Sequence, residues 1–178
     1  YCHECGLQLP ESHGTGHVCG NCHETPLPMG KVRGVFEYKG IIKTAIPALK
    51  YSRRLALAKS FENHMFQSFL SHFSDSGLDF ILPIPLHLSK LRKREFNQSY
   101  ILVRRFRQLY QMRFGRFPQW HVTTDLLKRI RNTTAQTGLA PDARRQNLKQ
   151  AFRVIEPVRV KHRTILLVDD VMTTGTTC

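Results

Sequence analysis

At 178 residues, with 41% hydrophobic and 22% charged residues, the chain has room for one ordinary domain plus a small appendage, and its composition excludes wholesale disorder. Twenty-seven Lys and Arg against 13 Asp and Glu leave a formal charge of +14, a field that attracts phosphate-bearing partners without choosing among nucleotide, nucleic acid and anionic membrane. No stretch approaches the roughly 20 uncharged apolar residues of a membrane span, and no signal-peptide pattern opens the chain, so we expect no membrane insertion and a cytoplasmic location. The chain starts at Tyr1 rather than Met and stops at Cys178, directly after a loop motif; both termini are expected to be cut.

Residues 1–28 are rich in Cys, His and Gly and too poor in large aliphatics to build a core. Cys2-x2-Cys5, thirteen intervening residues and Cys19-x2-Cys22 form the pattern of two knuckles that place four thiolates around one tetrahedral ion, and Gly6 and Gly20 supply permissive backbone after a cysteine. Two disulfides and a redox-active CxxC are the rival chemistries. A cytosolic setting and the pairing of the knuckles favour structural Zn2+, with no open coordination position. His3, His13, His17 and His23 are alternative ligands, although four cysteines suffice.

Pro26 and Pro28 mark a linker, after which Gly34 to Tyr38 reads as a strand closed by a Lys39-Gly40 turn. From Ile41 to Phe73 the apolar residues Ile42, Ile46, Leu49, Leu55, Leu57, Phe61, Met65, Phe69 and Phe73 recur at helical spacing, with Pro47 in a first turn or at a kink. Asp79 to Pro85 is a short apolar run stopped by prolines, the signature of a buried strand opening into a loop. Nine basic residues between Lys90 and Arg116 face one acid, Glu95. Asn97 to Met112 reads as a helix, Thr133 to Gln146 as an exposed loop, and Thr164 to Val168 as an apolar strand. Strands alternating with helices predict an α/β domain with a mostly parallel sheet.

That last strand empties into Asp169-Asp170 and then Thr173-Thr174-Gly175-Thr176-Thr177. Ligands collect at the carboxyl ends of strands in open α/β sheets, and a turn of amide N–H groups, hydroxyls and one glycine suits a phosphate dianion. The acids are then placed to accept hydrogen bonds from sugar hydroxyls near a bound Mg2+. The competing explanation is a helix cap and a turn, which needs one acid rather than two. No Walker A sequence occurs.

VDDVMTTGTT resembles the signature with which type I phosphoribosyltransferases bind 5-phosphoribosyl 1-pyrophosphate (PRPP). FEYKGIIKTAIPALKY, the pair LPIPLH and REFNQS, and AQTGLAPDARRQNLKQAF resemble, in order, blocks of the ComF family of competence-associated proteins. The resemblance runs through essentially the whole chain. It implies a zinc ribbon of the double zinc-ribbon type over residues 1–28, held by Cys2, Cys5, Cys19 and Cys22, and a mostly parallel type I phosphoribosyltransferase-like domain over 29–178, incomplete at its C-terminus. Further implied are PRPP or a nucleoside 5-monophosphate as ligand, with Mg2+, and a role in DNA uptake beside a competence helicase or other uptake proteins. Asp169, Asp170, Thr173, Thr174, Gly175, Thr176 and Thr177 become the phosphate and ribose contacts. Pro85 to Asn97 becomes the pyrophosphate-side loop with Arg94, Asn97 and Gln98, and Thr133 to Asn147 a flexible loop with Gln136, Arg144 and Asn147. The family usually carries glycine where this chain has Glu95. Catalysis, where it occurs, displaces pyrophosphate from the anomeric carbon by positioning and electrostatics, with no Ser/His or Cys/His nucleophile needed. The alternative is a non-catalytic module for single-stranded DNA or partner docking, using Phe96, Tyr100, Phe106 and Tyr110 among the cations of 90–116. Those rings also have the spacing of a buried helix face.

Overall fold

The computed structural model describes residues 1–9, 16–51, 55–133 and 148–172. The chain divides into two compact units, with the boundary between Glu37 and Tyr38.

The first unit is organised around its cysteines. Its single described helix, α1 (Gly20–Glu24), starts directly after Cys19 and carries Cys22. Gly6 N–H donates to the Cys2 carbonyl at 3.1 Å and His23 N–H to the Cys19 carbonyl at 3.0 Å, closing the two knuckles in the same manner. The Arg33 guanidinium donates to the carbonyls of His3, Glu4 and Val32 and lies 5.0 Å from the Tyr1 ring centroid, so segment 31–33 is strapped to the first knuckle. Gly34 to Tyr38, expected as a strand, is instead a series of bends. It finds no ladder partner among the described residues, and Phe36 and Tyr38 stay exposed.

The second unit is mixed α/β. Helices α2 (Gly40–Tyr51) and α3 (Leu55–Phe73) cover the span in which helical periodicity is expected. Pro47 lies in the interior of α2 rather than in its first turn. Strand β1 (Phe80–Pro83) is followed by α4 (Leu88–Arg94), α5 (Gln98–Ile101), α6 (Phe106–Phe114) and β2 (His121–Val122). Strands β3 (Leu127–Arg129) and β4 (Phe152–Val154), helix α7 (Pro157–Val160) and strand β5 (Ile165–Val168) complete the described elements. Strands β2, β1 and β5 form a parallel sheet in that order, and β3 and β4 an antiparallel pair.

Strand β1 is central and buried on both faces, as a parallel strand covered by helices should be. Pro83 is tolerated there for a local reason. Phe80 and Ile84 donate to the carbonyls of Thr164 and Val168 on the β5 side, so residue 83 faces the other neighbour, and β2 has already ended opposite Ile81. At the opposite end, the Asp79 carboxylate accepts from Arg163 Nη1 and from Thr164 N–H, both at 2.8 Å, which fixes the register of β1 against β5.

Two cores flank α3. Phe66, Phe69, Phe106 and Trp120 pack with Ile81, Val103 and Val168, the Phe66 and Phe106 rings meeting edge-on at 5.3 Å. Phe106 is only 1% exposed, a burial worth about 2–3 kcal/mol. Ile46, Leu49, Ala58 and Phe61 pack with Ile101 and Leu102 in the second. The helix expected over Asn97 to Met112 is broken between α5 and α6. Buried Glu62 accepts the Arg105 N–H at 2.9 Å and pairs with the Arg105 guanidinium at 3.5 Å, so a carboxylate from α3 satisfies the backbone at the break. Among the described residues, no helix is long and apolar enough to cross a membrane.

Candidate functional site

In the first unit the Sγ atoms of Cys2, Cys5, Cys19 and Cys22 all lie within 4.8 Å of one another, and none of the four cysteines is in a disulfide. Cys5 and Cys19 are 3.7 Å apart at sulfur; a tetrahedral zinc–thiolate centre with bonds of about 2.3 Å requires sulfur separations of about 3.8 Å. The donor set and its spacing therefore fit a single Zn2+. Burial raises the Cys2 thiol, but the backbone amides of Cys19, Cys5 and Glu4 outweigh it and bring it down to about 6. The Cys19 N–H makes one of these contacts, 3.3 Å from Cys2 Sγ, and so orients a ligand sulfur. Burial, joined by the neighbouring cysteines, pushes Cys22 well above the usual thiol range, and burial raises Cys5. Four such thiols are held as thiolates together only by a cation.

In the second unit the sheet order brings the C-terminal ends of β1 and β5 side by side, with Pro83 opposite Val168. The chain leaves β1 towards β2 on one flank and returns as β5 on the other, the divergence beside which ligands collect in open α/β sheets. Asp169 and Asp170 follow β5 at this end of the sheet, both partly buried. Asp169 Oδ1 accepts from Ser99 Oγ at 3.0 Å and from Asp170 N–H at 2.9 Å. Burial and the adjacent Asp170 charge push the Asp169 carboxyl up to about 7 against these two donors.

Asn97 and Gln98 reach the same place by different routes. The Asn97 side chain caps α5 by accepting from Ser99 N–H at 3.1 Å and donates to the Ile84 carbonyl at 3.0 Å, pinning the exit of β1 to the helix that carries Ser99. Both ends of its amide are thereby committed. Gln98 is 2% exposed and its Nε2 has no partner among the described residues. Arg94 ends α4, and Glu95 after it adopts φ 66 and ψ −6, the left-handed conformation that favours glycine. Thr173 to Thr177, Gln136, Arg144 and Asn147 lie outside the described residues.

Two cations that join Arg94 here, Lys90 and Arg129, were not evident as site residues from the sequence. Lys90 on α4 donates Nζ to the Thr133 carbonyl at 2.7 Å, and Arg129, the last residue of β3, donates to the Thr133 hydroxyl. Burial and the charges of Arg129 and then Arg94 hold Lys90 below its usual value. Burial lowers Arg129, opposed by the charge of Asp169. The Arg129 guanidinium lies 5.3 Å from the Phe152 ring centroid, and its Nε has no partner among the described residues. Lys90, Arg94 and Arg129 thus form a cationic group at the edge carrying Asp169, an arrangement suited to a phosphate-bearing ligand.

The four aromatics expected as a base-stacking stripe do not form one. Phe106 is core, Phe96 and Tyr110 pack against the two cores, and of the four only Tyr100 is exposed.

The chain is 33% identical over 99% of its length to the DNA utilization protein YhgH of Escherichia coli O157:H7, covering 73% of that protein. It is 32% identical to the protein of that name from Salmonella typhimurium, with the same coverage. Competence protein F of Haemophilus influenzae is 26% identical over 99% of the chain and 74% of its own length. No family model matches the sequence. No solved structure matches it.

Proposed function

The chain belongs to the ComF family, and from that membership we propose that its second unit is a phosphoribosyltransferase-like domain that binds PRPP or a nucleoside 5-monophosphate with Mg2+, serving DNA uptake or utilization. The relatives named for DNA utilization and competence support the process. The observation that carries the ligand is the meeting of Asp169 and Asp170 with Lys90, Arg94 and Arg129 beyond the ends of β1 and β5.

The division of labour follows from the chemistry of the groups. Carboxylates accept hydrogen bonds from ribose hydroxyls, so Asp169 and Asp170 take the sugar, and Ser99 holds Asp169 in place. Threonine hydroxyls and amides of 173–177 take the 5-phosphate. Arg129 and Lys90, steadied on Thr133, face the remaining anionic end. Mg2+ bound with the ligand would be held beside Asp169 and Asp170 and would neutralise phosphate charge. Transfer from PRPP with release of pyrophosphate is the reaction class of such a site, and binding precedes it whether or not an acceptor base is used.

In the first unit, Cys2, Cys5, Cys19 and Cys22 hold a structural Zn2+, since four protein thiolates leave no position for substrate.

Calorimetry with Mg2+-PRPP, ribose 5-phosphate and a nucleoside 5-monophosphate tests the reading on intact protein and on Asp170→Asn and Arg129→Gln variants. Saturable binding weakened at least tenfold in both variants is expected. Absence of binding to all three ligands by intact protein overturns it.

A further inference from the structure

The two cations that meet at Thr133 are held there by a neutral partner. Thr133 lies shortly beyond Arg129, the last residue of β3, and is only 5% exposed. Its carbonyl oxygen accepts from Lys90 Nζ at 2.7 Å, and its hydroxyl accepts from Arg129 Nη2. One residue thus presents a main-chain oxygen and a side-chain oxygen to cations that arrive from different elements, α4 and β3.

The arrangement satisfies hydrogen bonds but not charge. Neither Lys90 nor Arg129 forms an ion pair among the described residues. Burial and the charges of Arg129 and Arg94 lower Lys90, and burial lowers Arg129. Both are cations withdrawn from water beside like charge. A carbonyl and a hydroxyl offer them only dipoles, whereas a hydrogen bond from a cation to an anionic oxygen is about twice as strong as a neutral one. Donors also remain to be used. The Lys90 ammonium has further N–H groups, and the buried Arg129 Nε has no partner among the described residues. The Arg129 guanidinium is stacked over the Phe152 ring at 5.3 Å, a planar setting in which its edge binds phosphate oxygens in pairs.

The place of the pair decides which anion it takes. Asp169 is the acid whose charge acts on Arg129. With the ribose hydroxyls at Asp169 and Asp170, Lys90 and Arg129 take the anionic group at the end of the sugar away from the 5-phosphate. A diphosphate there brings several charged oxygens to both cations at once. Ribose 5-phosphate brings none.

We propose that Thr133 is a built-in competitor for the diphosphate of the ligand: without ligand its carbonyl and hydroxyl occupy Lys90 and Arg129, and a diphosphate binds by taking both donors from it. This rests on the nucleotide reading for the position of the sugar and adds a regulation of the same site. Because the exchange breaks two hydrogen bonds of the free protein, the diphosphate binds less tightly than the cations alone would hold it. Release of Thr133 also separates a protein loaded with PRPP from one that holds a monophosphate, since only the diphosphate replaces both contacts.

Calorimetric titration of the full chain with Mg2+-pyrophosphate, Mg2+-PRPP and ribose 5-phosphate tests this. Thr133→Val removes the competing hydroxyl and keeps the shape of the side chain. It should bind both diphosphates about fivefold more tightly, the equivalent of one neutral hydrogen bond, and ribose 5-phosphate as before. Thr133→Ser keeps the hydroxyl and should match the parent protein. Lys90→Met should weaken both diphosphates by about tenfold or more and leave ribose 5-phosphate unchanged. Thermal melts report whether each variant is folded. A second measurement needs no variant: in 15N-labelled parent protein the Thr133 amide signal should shift with pyrophosphate and stay in place with ribose 5-phosphate.

The proposal is overturned if folded Thr133→Val binds pyrophosphate no more tightly than the parent, if the Thr133 amide ignores pyrophosphate or answers equally to ribose 5-phosphate, or if neither diphosphate binds. Weaker binding by Thr133→Val would make the hydroxyl part of the occupied site and overturn it as well. Binding of Mg2+-PRPP without a gain in Thr133→Val removes the competitor and leaves the nucleotide reading standing. Binding of pyrophosphate with that gain, but no binding of Mg2+-PRPP, keeps Thr133 as a competitor for diphosphate and removes the nucleotide reading.

Discussion

Ser99 donates its hydroxyl to Asp169 across a sequence separation of 70 residues, with Oγ and Oδ1 3.0 Å apart. This contact ties α5 to the acid after β5 and opposes the burial that raises the Asp169 carboxyl to about 7.

A folded-state value of about 7 lies above the roughly 3.9 of an unfolded Asp, so the folded protein binds the extra proton between these limits. The associated stability is fully present below about pH 4 and is lost as pH rises through 7, an effect on the order of 2 kcal/mol after allowance for partial exposure. Urea melts from pH 4 to 8 should show Asp169→Asn flatter than the parent protein. Ser99→Ala should shift the upper end of the decline upward by about 0.7 pH, the equivalent of one neutral hydrogen bond.

Ligand binding should follow the opposite sign. A Mg2+-loaded sugar phosphate favours the Asp169 carboxylate, so binding below pH 7 must expel a proton. Affinity for Mg2+-PRPP is expected to rise by up to about tenfold per pH unit towards 7 and to level off above it. Titrations in buffers of different ionisation enthalpy would detect the released proton. A flat profile would separate Asp169 from the bound cation.

Glu95 holds φ 66 at the C-terminal end of α4. Left-handed backbone costs a residue with a Cβ roughly 1 kcal/mol that glycine does not incur. Glu95→Gly should raise the denaturation midpoint accordingly, and Glu95→Ala should not. The glycine usual in the family at this position has the same conformational rationale.

Chelation should release a single zinc and change backbone amide signals of residues 1–37 while preserving those of β1 and β5. Gly6→Ala should weaken zinc at least tenfold. Gly6 combines φ 71 with a position at which a Cβ would come 2.9 Å from the Val32 carbonyl oxygen, so any side chain there displaces the strap over the first knuckle.

What could be read from the sequence follows the range of the interactions. Cys2, Cys5, Cys19 and Cys22 are legible because a metal knuckle writes its geometry into local spacing. Strands β1 and β5 are legible because central parallel strands must be apolar over consecutive residues. The single helix expected over Asn97 to Met112 failed because Glu62, 43 residues away from Arg105, supplies the backbone acceptor that permits a break. Lys90 and Arg129 could not be singled out, since only the fold of the β3–β4 pair brings them to the same threonine. Phe114 looks like any core aromatic by composition; its exposure depends on which side of α6 meets α3.

The pairing of β1 with β5 also imposes an order of events during synthesis. Phe80 aligns with Ile165, and on its other side β1 pairs with β2 at two residues. When the ribosome has released everything up to β4, the strand destined for the middle of the sheet still has one edge without hydrogen-bond partners, with Ile81 and Leu82 beside it. Closing a loop of this length is slow compared with local helix formation, and open apolar edges in nascent chains are sites of aberrant association. Asp169 and Asp170 therefore arrive on the strand that seals the sheet, so that their contact with Ser99 cannot exist before the fold that protects the nascent chain has been completed.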